Sequence, residues 1–519
     1  MGTRFTRRRF LTAVGATYLA LASTVGCELL GRTSKVSHLD IPKAGPLRTP
    51  KRTSTVKLLS EDGSSARSNG VWAFRSRPDL SPPIVEVTAQ AHEETAPGYI
   101  FAAPKGSNAW QGGSMIFDDR GQLVWFHPTQ NANLRAMDLK VQNYRGKPVL
   151  TWGESVVGGD EWVILDNSYR EIARLRAGNG YQGNFHEFLI SPQDTALITI
   201  SNPVPIDLSA VGGSKDGVVY EGIVQELDIE SGEVLFEWHS LQDIGLEETY
   251  YRLSPDYFHI NSIDVDHDDN LLVSARNTSA VYKIDRSSGE IIWRLGGKKS
   301  DFEMGPGTRT RYQHDARRQS DGTITIFDNG ATVFDASIPK AVEGSRGIVV
   351  ELDEERTSAS LVREYTHPDN PLALASGNMQ VLPNENVFIG WGQQELVDFS
   401  EFSEDGELLF SASFSKDITY RAFRFEWNGY PGEQPAAVAE RASEDQIRVY
   451  ASWNGATEVA GWEVLAGPGP RQLRSVGSVP RDGFETAMLV RTAEPYVVVR
   501  AKHSSGRVLG ASKPVESES

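Results

Sequence analysis

The sequence predicts an all-β protein: a six-bladed β-propeller followed by a small immunoglobulin- or fibronectin-like β-sandwich. Two kinds of hairpin alternate along residues 96–431, and their apolar runs last only four to eight residues. Gly, Asp and Asn interrupt these runs, which is typical of strands and turns and not of helices. Over residues 440–519 the pattern changes to short, evenly spaced strands with Pro and Gly turns, as in a sandwich.

The first kind of hairpin has a strand, an acidic turn that contains Gly in most copies, and a second strand. Most copies end in an aromatic residue. Asp, Ser and Gly tolerate the backbone angles that a reversal needs. Six copies in about 300 residues give the spacing of four-stranded propeller blades with some insertions. The copies span 116–127, 164–175, 226–239, 283–295, 351–365 and 401–414.

The second kind of hairpin begins with a polar residue and would supply the innermost strands of the blades. Its copies span 133–153, 185–200, 258–276, 313–329, 376–392 and 419–427. Because innermost strands border the central channel, the residues that begin them should ring one end of it. These residues are His186, His259, His314, Asn378 and Arg421.

Three imidazoles and at least one guanidinium would meet in this ring. His259 and Asn261 are two apart on a predicted strand, so both side chains should point to the same face. Arg276 lies on the returning strand of the same hairpin, and Arg317 follows His314 on the next one. Such a patch suits a tetrahedral oxyanion, because Arg offers a rigid fork of donors and His can either donate or attack.

The N-terminal region predicts export. Residues 1–27 combine a twin-arginine run, a modest apolar stretch and small residues before Cys27. The context of Cys27 resembles a lipoprotein cleavage box, in which the cysteine becomes lipidated; the alternative is a secreted protein cut near the same place. The chain would then reside at the cell surface or in the cell envelope, with membrane contact only through that lipid. Residues 28–70 are interpreted as a tether and 71–95 as an extended edge segment whose prolines disfavour a helix.

Composition excludes several classes of function. With 69 acidic and 52 basic residues, the formal charge of −17 provides no general attraction to nucleic acid. The single cysteine excludes an internal disulfide and a cysteine-based metal site. The acidic turn at 264–269 lacks the glycine and distal glutamate of an EF-hand loop. We therefore expect neither a metal nor a cofactor.

Four motifs occur in order along the chain. They are Phe258-His259-Ile260-Asn261-Ser262, Ser274-Ala275-Arg276 with Val281-Tyr282-Lys283-Ile284-Asp285, Gln313-His314-Asp315-Ala316-Arg317 and Tyr420-Arg421-Ala422-Phe423-Arg424. Over residues 95–430 the sequence resembles the bacterial arylsulfotransferase family, in its ASST-like actinobacterial and fungal branch. The resemblance implies a six-bladed propeller that moves a sulfuryl group from an aryl sulfate donor to a phenolic acceptor without a nucleotide. It also implies that His314 is the nucleophile that becomes sulfurylated. The implied ligands of the sulfuryl oxygens are His186, His259, Asn261 and Arg276.

Each candidate residue has a structural alternative. A histidine on a strand is more often buried and hydrogen-bonded than catalytic, and Asn261 could cap a turn. Arg276 and Arg317 could form surface ion pairs, with Asp315 as the neighbour of the latter. Arg317, Asn378 and Arg421 are candidates for substrate binding, although Arg421 could instead anchor the closure of the ring.

Two other functions compete with sulfuryl transfer. One is a non-catalytic exported propeller that binds an anionic glycan or a protein partner. The other is a quinone-dependent dehydrogenase, suggested by the turn at 289–293. Such dehydrogenases commonly use eight blades and a vicinal disulfide, which a chain with one cysteine cannot form.

Overall fold

The computed structural model describes residues 66–68, 70–107, 110–131, 133–156, 159–251, 255–331, 344–394, 396–414 and 419–517. These ranges belong to one compact unit, Lys57–Ser519. The predicted export signal 1–27 with Cys27, and nearly all of the predicted tether 28–70, lie outside the described residues. Within these ranges, no helix has the length and apolar character that a bilayer span requires.

The described chain is all-β and is built mainly from four-stranded antiparallel sheets that resemble propeller blades. Sheets 1 to 3 each consist of four consecutive strands paired in sequence order. Sheet 1 contains Ala136–Tyr144, Lys147–Val156, Gly159–Leu165 and Glu171–Leu175. Sheet 2 contains Gly183–Ile190, Thr195–Ile206, Gly217–Asp228 and Val234–His239. Sheet 3 contains Ile260–Val265, Leu271–Ala275, Ala280–Ile284 and Ile291–Gly296.

Sheets 4 to 6 each include strands from elsewhere in the chain. Sheet 4 contains His314–Arg318, Ile324–Asp328, Arg346–Asp353, Ser358–Tyr365 and the short parallel strand Glu303–Met304. Sheet 5 contains Asn378–Val381, Val387–Gly390, Phe399–Phe402, Leu408–Phe414 and the edge strand Val85–Ala89. Sheet 6 contains Thr419–Phe425, then Tyr99–Pro104, Gly113–Phe117 and Leu123–Pro128.

Two more sheets follow in the C-terminal part and share one hydrophobic core. One contains Ala436–Ser443, Gln446–Ser452 and Glu485–Arg491; the other contains Arg474–Pro480, Gly461–Gly467, Tyr496–Lys502, Val508–Ala511 and Val515–Glu516. Val449 and Met488 from the first sheet pack with Trp462 and Val499 from the second. The remaining elements are the strand pair Ala66–Ser68 and Val71–Ala73, the helix Ser240–Asp243 and the 3₁₀ turns Ser209–Val211 and Leu246–Glu248.

We call the strand named first above for each of the six sheets its first strand. The first strand of each sheet contacts the first strand of the next sheet, and the first strand of sheet 6 contacts the first strand of sheet 1, so these contacts form a closed series. Side chains bond the backbone across these junctions: Gln142 Nε2 donates to Phe188 O at 2.9 Å, and Asn378 Nδ2 donates to Ala422 O at 2.8 Å. Such bonds satisfy buried backbone groups and fix the height of one strand relative to the next.

The six hairpins of the first kind are all antiparallel strand pairs. Five of the six inner segments are hairpins as well. The sixth, 419–427, is a single strand that pairs with Tyr99–Pro104. Sheet 6 therefore combines a strand that follows the other sheets in the sequence with three that precede them, which joins the two ends of the series.

Candidate active site

Three histidine rings and one tyrosine ring meet at the inner strands of sheets 2, 3, 4 and 6. The ring centroids of His186 and His259 lie 4.8 Å apart, edge to face. The ring of Tyr420 lies 5.4 Å from that of His186 and 6.4 Å from that of His314. The structure therefore brings together three imidazoles that are distant in the sequence. Tyr420 is not among the residues predicted for the site.

Many polar residues of this region lie in β-bulges. In five of the six sheets the register shifts where the first strand pairs with its neighbour. The shifted positions hold Asp138, His186, Asn261, Asp315 and Arg421. A bulge interrupts the alternation of side chains and re-aims the extra residue. His259 precedes its strand and has a left-handed φ of 60°. Strand alternation therefore does not determine the directions of the His259 and Asn261 side chains, contrary to the prediction that both point to one face.

His314 is almost fully buried, and both of its ring nitrogens form hydrogen bonds. Nδ1 lies 2.7 Å from Asn329 Oδ1, and Ser376 N donates to Nε2 at 3.1 Å. Because a backbone N–H donates only to a lone pair, Nε2 is unprotonated and Nδ1 carries the hydrogen of a neutral ring. Burial, and after it the charge of Arg276, hold the pKa of His314 well below its ordinary value of 6.5. His314 is therefore an uncharged imidazole at neutral pH.

The other two histidines have different polar partners. His259 Nδ1 lies 2.5 Å from the carboxylate oxygen Oδ2 of Asp256, whereas His186 Nδ1 contacts the amide oxygen of Asn184. Burial, and after it the neighbouring His259, hold the pKa of His186 well below 6.5. His186 is therefore uncharged at neutral pH, while His259 has an anionic hydrogen-bond partner.

Arg276 provides a cation beside His314. Its Nη1 donates to Asn277 Oδ1 at 2.8 Å, and its Nη2 donates to Leu374 O at 3.0 Å. The guanidinium carbon lies 4.9 Å from the centroid of the Tyr312 ring. These hydrogen bonds and the ring contact fix the orientation of the guanidinium. Arg276 is only 6% exposed. Buried cations of this kind stabilise anionic groups strongly.

Residues 373–377, which we call the covering segment, contact both His314 and Arg276. Ser376 donates its N–H to the imidazole, and Leu374 accepts from the guanidinium. Gly377 has a φ of 102°, and a Cβ there would collide with the ring of Phe327. In this conformation the Nε2 lone pair is occupied, so an electrophile must replace the Ser376 N–H to reach it.

Asn261 is fully buried, and most of its polar atoms are bonded. Its Nδ2 donates to Gln313 O at 2.7 Å, which fixes the orientation of the amide because a carbonyl oxygen only accepts. Its Oδ1 has no hydrogen-bond partner among the described residues. The amide nitrogen has a second hydrogen, so donation from Asn261 to a sulfuryl oxygen, as the resemblance implies, is compatible with the bond to Gln313.

Arg317 and Arg421 belong to a buried group of charges that we call the axial charge network. Arg421 Nη1 lies 2.8 Å from Asp138 Oδ1 and 3.2 Å from Glu187 Oε2. Arg317 Nη2 lies 2.7 Å from Asp315 Oδ1 and also pairs with Glu187. The network consists of Asp138, Lys140, Glu187, Asp315, Arg317 and Arg421.

The three predicted substrate-binding residues thus have protein partners. Arg317 pairs with Asp315, as the structural alternative proposed. The pair does not lie on the open surface, because the side chain of Asp315 is 2% exposed and that of Arg317 is 17% exposed. Asn378 exchanges two hydrogen bonds with the backbone of Ala422, at 2.8 and 3.0 Å. Contact of Arg317, Asn378 and Arg421 with substrate stays a prediction.

A small, mostly polar cleft opens beside His259. Asn184, Thr199, Ser201 and Asp256 contribute to its walls. Over the ranges that the structure describes, no three His, Cys, Asp or Glu side chains are grouped to hold a metal ion. The groups assembled around this cleft and the histidine cluster include imidazoles, the Arg276 guanidinium and the Asp256 carboxylate.

Sequence reasoning did not identify the partners of the catalytic candidates. Asp256 precedes His259 by three residues, a spacing that could have suggested a pair. Asn329 lies in Asp-Asn-Gly, which reads as an ordinary turn, and Ser376 has no local signal at all. These partners are determined by packing between sheets, which a single sequence does not display.

Comparison with protein families identifies one match. The model of the family described as arylsulfotransferase (ASST) matches residues 140–415. No curated protein sequence matches the chain significantly.

Several solved structures resemble the chain only distantly. A protein of unknown function from Bacteroides caccae is 13% identical, covers 63% of this chain and 98% of its own, and has a TM-score of 0.40. A virginiamycin B lyase from Staphylococcus aureus, solved with quinupristin, is 9% identical, covers 72% and 97%, and has a TM-score of 0.32. A streptogramin B lyase is 10% identical, covers 82% and 94%, and has a TM-score of 0.28.

Proposed function

The chain belongs to the arylsulfotransferase (ASST) family, and we propose that it transfers a sulfuryl group from an aryl sulfate to a phenol through a sulfurylated His314. One observation carries this proposal. His314 is a buried, uncharged imidazole whose Nε2 has a lone pair, and it lies beside the guanidinium of Arg276. Together these groups form a nucleophile next to a site for an anionic group.

In the first half of the reaction, the Nε2 lone pair of His314 forms a bond to sulfur. The bond from sulfur to the phenolic oxygen breaks, and the phenolate leaves with the electron pair. Like phosphoryl transfer, this step spreads negative charge over the oxygens that stay on sulfur. Arg276 and the imidazoles of His186 and His259 are suited to stabilise that charge.

In the second half, the oxygen of an acceptor phenol attacks sulfur, and the bond from sulfur to Nε2 breaks. Nε2 recovers its lone pair, and the phenolic proton must leave. We assign proton exchange to His259, because the Asp256 carboxylate stabilises the imidazolium that results. One sulfuryl group moves and nothing is oxidised or reduced, so the reaction balances without a redox cofactor.

Arg276→Lys is expected to lower kcat/KM by about 10²–10³-fold, the range found when one transition-state donor is removed. Lysine keeps the charge but lacks the planar fork, with which Arg276 can donate to Leu374 O and to the transferred group at the same time. The measurement is the rate of nitrophenolate release from 4-nitrophenyl sulfate with saturating phenol. Arg491→Lys, on the exposed surface of the C-terminal part, is the matched control and should match the wild type. An Arg276→Lys rate within threefold of the wild type would contradict this role.

We also infer the finer architecture from the described sheets. The closed series of first strands supports a six-bladed propeller over residues 96–431. The shared core of the last two sheets supports an immunoglobulin-like sandwich over 440–519. Export through residues 1–27 and lipid attachment at Cys27 stay proposals from the sequence.

The proposal is tested with purified protein, 4-nitrophenyl sulfate and phenol. We expect nitrophenolate release that requires phenol, together with formation of phenyl sulfate. Initial rates at varied donor and acceptor should give the parallel double-reciprocal lines of a ping-pong reaction. No release with any phenolic acceptor would refute transfer and favour the glycan- or protein-binding alternative. Release without an acceptor would indicate a sulfatase instead.

A further inference from the structure

Two acceptors face His314 Nδ1, and the nearer one belongs to an amide whose orientation is fixed. The other is Tyr312 O, 3.2 Å from Nδ1. Asn329 Nδ2 donates to Ala373 O at 3.2 Å and to Ser376 O at 2.9 Å. Because carbonyl oxygens only accept, the nitrogen of the amide must face them, and Oδ1 must face His314. Asn329 is fully buried, so water does not compete for these bonds.

This arrangement fixes the tautomer of His314. Asn329 Oδ1 accepts the hydrogen of Nδ1 at 2.7 Å, which leaves the lone pair on Nε2. The same amide holds two carbonyls of the covering segment, and that segment supplies the Ser376 N–H that meets Nε2. One side chain therefore orients the imidazole and positions the backbone against it.

An amide partner also differs from a carboxylate in charge. His259, in the same cluster, pairs with the carboxylate of Asp256, whereas His314 pairs with a neutral group. The charges that act most strongly on the pKa of His314 are the cations Arg276 and Arg421, and its other titratable neighbours are His259 and Tyr420. The carboxylate of the adjacent Asp315 pairs with Arg317. A carboxylate in place of Asn329 would be the nearest anion and would favour the imidazolium, which has no lone pair on Nε2.

We propose that Asn329 is a positioning residue that fixes the orientation and the tautomer of the His314 imidazole, so that the lone pair is on Nε2. The proposal rests on the proposed function, because the lone pair matters only if His314 attacks sulfur. Asn329 makes no contact with substrate in this account and acts through His314. Two variants divide these contributions. Aspartate keeps the acceptor toward Nδ1 and adds a charge but loses the donor to Ala373 O and Ser376 O, whereas alanine loses both groups without adding a charge.

The test compares how kcat/KM for the donor depends on pH in the wild type, Asn329→Asp and Asn329→Ala. The acid limb of each profile is the loss of activity as the pH falls. Burial and Arg276 keep the pKa of His314 low, so the wild type should remain active well below pH 6.5. With Asn329→Asp, the acid limb should move up by about 1–3 pH units, the shift that a close opposite charge produces. At high pH its activity should rise above that of Asn329→Ala, because the acceptor toward Nδ1 remains, and stay below that of the wild type, because the bonds to Ala373 O and Ser376 O are lost.

Asn329→Ala removes the nearer acceptor of Nδ1 and both bonds to the covering segment without adding charge, and it leaves Tyr312 O, 3.2 Å from Nδ1, as an acceptor. We expect kcat to fall about tenfold or more at every pH, with KM for the donor nearly unchanged. The acid limb should not move up, because the bond to Asn329 raises the pKa of His314 and is absent in this variant. Asn270→Asp is the matched control, because its Oδ1 also accepts an N–H but lies in a turn of sheet 3 away from His314. Its profile should follow that of the wild type.

Histidine-labelled protein provides a readout that does not depend on turnover. The NMR titration of His314, assigned by its loss in His314→Ala, should shift upward in Asn329→Asp and not in Asn270→Asp. The proposal would be overturned if the acid limb and the His314 titration of Asn329→Asp coincided with those of the wild type. It would also be overturned if Asn329→Ala had a normal kcat. A shifted titration in a protein without transfer activity would instead refute the proposed function and leave the positioning intact.

Discussion

His314→Ala is expected to abolish sulfuryl transfer, with a loss of at least about 10⁴-fold in kcat, as when the nucleophile of a covalent mechanism is removed. Alanine has no lone pair at the position of Nε2, so neither half of the reaction can proceed. Donor binding should persist, because Arg276, His186 and His259 remain. The measurement is phenol-dependent nitrophenolate release, with donor affinity followed separately by calorimetry.

His367→Ala is the matched control for this variant. His367 is also buried, but it bonds Ser411 in sheet 5 and contacts the ring of Trp391, away from the three-histidine cluster. Its loss should lower thermal stability and leave the transfer rate of the folded protein within about threefold. Equal losses of rate in both variants would show that removal of any buried histidine disables the protein, which would contradict a nucleophilic role for His314.

Glu187→Gln is expected to produce the largest loss of stability, about 3–5 kcal/mol of unfolding free energy at pH 7, because one partner of a buried ion pair is removed. Glu187 is fully buried and pairs with Lys140, Arg317 and Arg421. Glutamine leaves Asp138 and Asp315 as the ion-pair partners of these cations among the described residues. The measurement is urea unfolding followed by tryptophan fluorescence.

The effect of Glu187→Gln should depend on pH in a defined direction. Burial alone would raise the pKa of Glu187, but Arg317, Lys140 and Arg421 outweigh burial and hold that pKa well below the ordinary 4.5. A carboxyl group with a lowered folded pKa stabilises the fold above its unfolded pKa, and this contribution is lost as the pH falls through the folded value. The difference between the two proteins should therefore be constant above about pH 5.5 and shrink below 4.5.

Glu233→Gln, on the exposed turn of sheet 2, is the control and should change the unfolding free energy by less than about 0.5 kcal/mol. A Glu187→Gln protein that unfolds at the urea concentration of this control would contradict the stabilising role of the axial charge network.

The repeated hairpins could be predicted because their signals are local. The acidic turn and flanking apolar runs of 283–295 become the paired strands Ala280–Ile284 and Ile291–Gly296. Pairings between distant segments carry no such signal. The strand Val85–Ala89 was predicted to be extended, but its partner in sheet 5 depends on tertiary packing. The short parallel strand Glu303–Met304 follows no pattern in the sequence.

The site could be predicted in part. The convergence of His186, His259 and His314 follows from their equivalent positions in successive repeats. Their orientation does not follow from alternation, because bulges and left-handed residues interrupt the strands at these points. Arg421 is a buried member of the axial charge network, and a sequence alone does not indicate which carboxylates lie around it.

The central claim is that His314 carries the sulfuryl group between the two substrates. Protein incubated with 4-nitrophenyl sulfate alone, quenched, digested under alkaline conditions and analysed by mass spectrometry should carry one sulfuryl group on the peptide that contains His314. That group should disappear when phenol is added before the quench, and phenyl sulfate should appear in equal amount. A protein that turns over without this modification, or that carries it on another residue, would contradict the account.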